Sequence, residues 1–131
     1  MSEKTELGPC TPFFVVSNLE QSIAHYVDRL GFECRLVAPE SEPFFAILAR
    51  GSAQIMIKKI GDSVKPSPNH ERHEWARWDA FIHASEPDSL ASEFSRRKVR
   101  FHRELSNTDE NLRGFEIADP DGYVCFFGRP I

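Results

Sequence analysis

The stretch "GFEIADPDGYVCFFGRP" (residues 114–130) decides how this chain is read. Apolar and β-branched residues flank Pro120, Asp121 and Gly122, which predicts two strands joined by a tight turn, because proline presets the turn backbone and glycine relieves it. Side chains alternate along a strand, so Glu116 shares a face with Gly114 and Ala118, and Phe126 with Val124. Cys125 and Phe127 fall on the other face, where an apolar strand meets a core.

Upstream of this hairpin, "DAFIHA" (79–84) predicts a strand and "PDSLASEFSRRK" (87–98) a helix, with Pro87 in the first turn and Leu90 and Phe94 at i, i+4. "VRFHREL" (99–105), "RGFEIAD" (113–119) and "YVCFFGR" (123–129) predict three more strands. The same order stands earlier in the chain. "PFFVVS" (12–17) predicts a strand, Asn18 caps a helix over "LEQSIAHYVDRL" (19–30), and Gly31 stops it. "FECRLVA" (32–38), "FFAILAR" (44–50) and "AQIMIKK" (53–59) predict strands, with Gly51-Ser52 turning between the last two. Thr11 stands as far from Asp79 as Leu19 does from Pro87, so the two halves are repeats at one offset. The expected fold class is α+β: two βαβββ modules forming a concave mixed sheet with helices on the outer face. Module one covers about 10–60, a surface linker about 61–77, and module two about 78–131, within a single domain of residues 1–131.

Composition narrows the function. The chain has 131 residues, 40% hydrophobic and 27% charged, which suits a globular protein with a core of its own. A net charge of −4 gives no field to draw in nucleic acid, and the basic run Arg96, Arg97, Lys98 and Arg100 reads as a solvated helix end. No stretch approaches the roughly 20 apolar residues of a membrane span, and no secretory leader is recognisable. Cys10, Cys34 and Cys125 follow no motif spacing, so the expected location is the reducing cytoplasm. "HERHEWARW" (70–78) lacks the spacing of a zinc helix and reads as a loop with two exposed histidines, and His25 and His102 read as surface residues.

"NLEQSIAHYVDRLGF" (18–32) together with "DPDGYVCFF" (119–127) resembles the vicinal oxygen chelate superfamily, which includes glyoxalase I, extradiol dioxygenases, fosfomycin-modifying thiol transferases and bleomycin-resistance proteins. The resemblance covers residues 10–130. It implies four positions where metal-using members place ligands, and in this sequence they fall on Thr11, Gln54, Asp79 and Phe126. Phenylalanine cannot ligate, and one good carboxylate does not make a site. The expectation is therefore no metal and no cofactor.

With those four positions facing the cleft, alternation adds Phe13, Val15, Met56, Phe81, His83 and Val124 to that face. Phe14, Val16, Ile55, Ile57, Ala80, Ile82, Cys125 and Phe127 then face the helices. An apolar cleft with sparse polar groups suits a small molecule, here an aromatic or cationic compound held by stacking. The expected ligand-binding residues are Phe13, Gln54, Met56, Trp78, Asp79, Phe81, Glu116 and Phe126, with Trp75 and Trp78 walling one end. Glu116 reads either as a charge beside Asp79 or as a solvent-exposed strand residue. His83 is the candidate general acid or base, with a satisfied sheet histidine as the plainer reading. The resemblance is to the bleomycin-resistance branch, and it implies a homodimer whose clefts are closed by halves from two subunits. Two rival readings stand beside it: a metal-dependent glyoxalase-like lyase or dioxygenase using Asp79, Gln54 and His83, and a module whose cleft receives a peptide.

Overall fold

Leu19 and Tyr26 are buried on one face of the first helix, and the way that helix begins and ends fixes the first half of the molecule. The structure is a computed structural model that describes residues 3–131. Helix α1 (Leu19–Ala24) starts at Asn18, whose side chain accepts a 2.9 Å hydrogen bond from the Gln21 amide, the cap expected from the sequence. It continues as a π-helical turn over His25–Arg29. Gly31 then takes φ +73°, a backbone region that strains other residues, and turns the chain into the sheet.

Each half builds a four-stranded sheet. The first holds β1 (Phe13–Val15), β2 (Glu33–Ala38), β3 (Phe45–Arg50) and β4 (Ala53–Lys58) in the order β1-β4-β3-β2. The second holds β5 (Ala80–His83), β6 (Arg103–Asn107), β7 (Leu112–Ala118) and β8 (Val124–Pro130) in the order β5-β8-β7-β6. In both, the first strand runs parallel to the last and the other pairings are antiparallel. This is the α+β fold of two βαβββ modules that the sequence implies, each with its own mixed sheet. Between the halves, the stretch read as a linker carries a short helix, α2 (Asn69–Arg72).

The sixth strand departs most from expectation: composition predicts it over 99–105, and it forms at Arg103–Asn107. Helix α3 (Pro87–Arg96) ends with Lys98 at φ +63° and the Val99 amide bonded back to the Phe94 carbonyl, so residues 99–102 serve as the exit from the helix.

One hydrophobic core serves both sheets. Phe14, Val16, Ile55 and Ile57 of the first sheet and Phe115, Ile117, Cys125 and Phe127 of the second are buried together with Tyr26 and Phe94 of the helices. Phe14 stacks on Tyr123 at 4.4 Å between ring centroids, and Phe94 meets Phe115 and Phe127 edge-on. Polar ties flank this core: Tyr26 donates to Asp119 at 3.0 Å, and Arg50 forms a two-pronged pair with Glu93 at 2.7 and 2.9 Å. The helix-facing sides of both sheets are thus turned inward toward each other. Their opposite sides point outward, which determines where any cleft can form.

Candidate functional site

The outward faces carry the predicted residues as two separate groups. On the first sheet, Phe13 is half exposed and lies 6.5 Å from Phe45, stacked. Register places Phe13 beside Met56, Ile47 beside Met56, and Ala49 beside Gln54, so β3 contributes Phe45 and Ile47 to this face. Thr11 donates its hydroxyl to the Gln54 amide oxygen at 3.0 Å. Lys58 extends over Phe44, with Nζ 5.5 Å from the ring centroid.

On the second sheet, Trp78, Phe81 and Phe126 form an aromatic platform. Phe81 stacks on Phe126 at 5.4 Å and 15°, while Trp78 lies 4.8 Å from Phe126 and 5.7 Å from Phe81. Phe81 is 42% exposed and Phe126 is fully covered. The Phe126 ring has room because Gly114 and Gly128 stand opposite each other beneath it. A Cβ on either glycine would come within 2.6 or 2.7 Å of that ring. Among the described residues, no ring of this platform touches Phe13 or Phe45. The single chain therefore brings Trp78, Phe81, Phe126 and Glu116 together, and separately Phe13, Met56 and Gln54.

The charged members of the set are already engaged. Glu116 is 2% exposed, which corrects its reading as a solvent-exposed strand residue. Its Oε2 accepts from Arg77 at 2.9 Å and from the Trp78 indole N–H at 3.2 Å, and His102 Nε2 lies 3.8 Å from Oε1. Arg77 is shared with Glu110 at 3.1 Å, and its guanidinium sits 6.0 Å from the Trp78 ring centroid. The Glu116 carboxylate hydrogen bond and charge hold the Arg77 guanidinium firmly protonated. Asp79 spends both oxygens on backbone amides, Oδ1 on Asn69 and Oδ2 on Val124, each at 2.8 Å. His83 is exposed at the end of β5, with no side-chain hydrogen bond to a described residue.

The four ligand positions do not fit a divalent ion. Phe126 offers no donor atom, the Thr11 hydroxyl and the Gln54 carbonyl are bonded to each other, and the Asp79 carboxylate is taken by the backbone amides of Asn69 and Val124. Thr11 and Gln54 also lie on the first sheet, whereas Asp79 and Phe126 lie on the second. Among the described residues no group of three or more His, Cys, Asp or Glu side chains is placed to hold a metal ion.

Two other histidines depart from their sequence reading. His70 is partly buried, its Nε2 2.8 Å from the Gly122 carbonyl, while His73 is exposed as expected. His25 is mostly covered, and burial together with the nearby Arg29 charge pushes its pKa down to about 4. Asp119 moves the other way: burial raises its carboxyl to about 6, against the hydrogen bonds from Tyr26, Tyr123 and Asp121. Arg77, Phe45 and Ile47 are members of the outward faces that the sequence reading missed. Alternation along 44–50 was the signal for Phe45. Nothing in the pattern pairs Arg77 with Glu116, because the loop before β5 brings them together.

The sequence matches the family model described as Glyoxalase/Bleomycin resistance protein/Dioxygenase superfamily over residues 7–126. No curated protein sequence matches it. Its fold is similar to that of the bleomycin-binding protein of bleomycin-producing Streptomyces verticillus, solved with copper(II)-bleomycin (TM-score 0.70, 21% identity, 98% of this chain and 100% of that one). It is similar too to TnmS3, an antibiotic binding protein from Streptomyces sp. CB03234 (0.68, 17%, 97% and 100%). A glyoxalase-related enzyme from Clostridium phytofermentans aligns at TM-score 0.73 with 13% identity, over 99% of this chain and 100% of that one.

Proposed function

This chain belongs to the glyoxalase/bleomycin resistance protein/dioxygenase superfamily, and on that footing we propose that it binds a small molecule without a metal ion, holding an aromatic guest against the outward aromatic faces of its sheets. The observation that carries this reading is Phe126: at a metal-ligand position of the superfamily it offers no donor, and its covered ring backs Trp78 and the half-exposed Phe81, which present the aromatic surface. Similar solved structures are described as bleomycin-binding and antibiotic-binding proteins, which supports the same class of role. The ligand-binding set is Phe13, Gln54, Met56, Trp78, Asp79, Phe81, Glu116 and Phe126. Of the aromatic and cationic guests suggested by the sequence, the aromatic one has the stronger support, because Asp79 and Glu116 already have partners.

A second copy of the chain completes the site in this reading. The two groups point outward from one core, so a homodimer that sets the first-sheet face of one protomer against the second-sheet face of the other encloses a cleft between them. The free thiols Cys10, Cys34 and Cys125 fit a reducing cytoplasm.

The test joins metal analysis to binding. Protein purified without chelator and offered Ni²⁺, Zn²⁺, Mn²⁺ or Fe²⁺ is expected to retain none after desalting. Aromatic compounds are expected to raise Tm, and less so for Phe81→Ala. One tightly held ion per chain that is lost in Asp79→Asn would overturn the metal-free reading and favour the lyase or dioxygenase, with His83 as a candidate acid or base. A monomer by light scattering in the presence of a bound guest would remove the composite cleft.

A further inference from the structure

Arg77 makes, within the chain, both contacts that a cationic guest would seek on this platform. Its guanidinium is ion-paired to the buried Glu116 at 2.9 Å and lies 6.0 Å from the Trp78 ring centroid. Only 28% of the Arg77 side chain remains exposed, and its other prong is on Glu110 at 3.1 Å. The neighbouring carboxylate, Asp79, is bonded by two backbone amides. Asp79, Glu110 and Glu116 therefore all have partners, and the cation–π position beside Trp78 is filled by the protein itself.

Charge left to a guest follows from this. A cation entering the platform must displace Arg77 or lie beside it, and in both cases it meets a like charge without gaining a free carboxylate. An anion meets three carboxylates and one guanidinium that is already shared between two of them. An uncharged ring loses little on desolvation and gains contact with the exposed part of Phe81.

We infer that Arg77 is a specificity-determining residue that fills the cation position of the platform, so that the site takes an uncharged flat aromatic compound. The inference rests on the small-molecule reading proposed above, and the test separates the two. Three probes share one ring system and differ in charge at pH 8: acridine is neutral, 9-aminoacridine cationic, and acridine-9-carboxylate anionic.

Fluorescence titration of the full chain is expected to show acridine binding at least ~10-fold more tightly than either charged probe. Arg77→Gln leaves Glu116 without its cation and is expected to strengthen 9-aminoacridine about 10-fold while leaving acridine within about threefold. The double variant Arg77→Gln/Glu116→Gln is expected to lose that gain, which a general loosening of the loop would not do. Circular dichroism checks that each variant is folded; should Arg77→Gln not fold, the ranking in the parent chain decides alone. A charged probe that binds the parent more tightly than acridine, or 9-aminoacridine binding that ignores Arg77→Gln, overturns the assignment of Arg77 and leaves the aromatic site standing. If no acridine binds, or if Phe81→Ala leaves binding unchanged, the small-molecule reading of the platform falls, and the role of Arg77 with it.

Discussion

His25 and Asp119 are two titratable groups that burial shifts within the acidic-to-neutral range, and they act on stability in opposite directions. His25 stays neutral in the fold down to about pH 4, whereas in the unfolded chain it takes up a proton near pH 6.5. Its contribution is therefore lost as pH falls from 6.5 to 4. Asp119 keeps its proton in the fold up to about pH 6, while the unfolded chain loses it near pH 3.9. Its contribution is lost as pH rises across nearly the same window. Each shift corresponds to on the order of 3 kcal/mol, so the two nearly offset each other. Asp119→Asn is expected to unmask His25, and the variant then loses ~3 kcal/mol relative to the parent between pH 6.5 and 4. His25→Gln is expected to do the reverse and gain relative stability on acidification. Urea unfolding at pH 4, 5, 6 and 7 measures both; parallel curves for parent and variants would show that burial holds neither group in its unusual state.

The β7–β8 pair shows how an element makes room for a site residue. Gly114 and Gly128 face each other across the pair, and the Phe126 ring occupies the space that their side chains would fill. A methyl group at Gly114 would also run into the Phe127 carbonyl of the neighbouring strand, so backbone as well as ring must shift. Gly114→Ala is expected to destabilise the protein by about 1–3 kcal/mol, the usual effect of overpacking. It should also raise the exposure of Phe126 and weaken aromatic binding by disturbing the platform. Calorimetry and probe titration on one preparation check this, and an unchanged Tm would mean that Phe126 lies elsewhere. The ends of the first helical segment were legible, with Asn18 and Gly31 in the roles their chemistry predicts, whereas α3 stops at Arg96, short of the predicted residue 98. The start of β6 was not legible, because "VRFHREL" has strand-like composition from its first residue while the Val99 amide is taken by the Phe94 carbonyl at the end of α3 and the chain first bonds to β7 at His102.

The shared core makes the two halves one folding unit in energetic terms. Phe94 belongs to module two, yet its ring also receives the Arg50 guanidinium of module one at 5.9 Å. Phe94→Ala is expected to cost about 3–5 kcal/mol, as a fully buried aromatic does on truncation. The loss should appear as one shifted transition, the same by far-UV circular dichroism and by Trp fluorescence. Two separated transitions would show that the sheets unfold independently. The inward packing of the helix-facing sides also explains why a single chain leaves Phe13 and Phe81 half exposed, at 50% and 42%.

Periodicity and turn chemistry were enough to read the repeat, the strands, the two longer helices and the inward or outward side of most strand residues, because local sterics and a two-residue alternation dictate them; the family came from the resemblance carried by residues 18–32 and 119–127. Phe14, Ile55, Ile57, Cys125 and Phe127 are buried as that alternation requires. The same pattern could not show that the two candidate groups lie on separate outward faces, or that Glu116 is buried under Arg77 and Trp78. Those facts depend on how one module packs on the other and on where an irregular loop crosses the sheet, and neither leaves a periodic trace. A side chain's neighbours across 39 residues of chain are set by packing, and in this protein packing turns an apparently free carboxylate into a paired one.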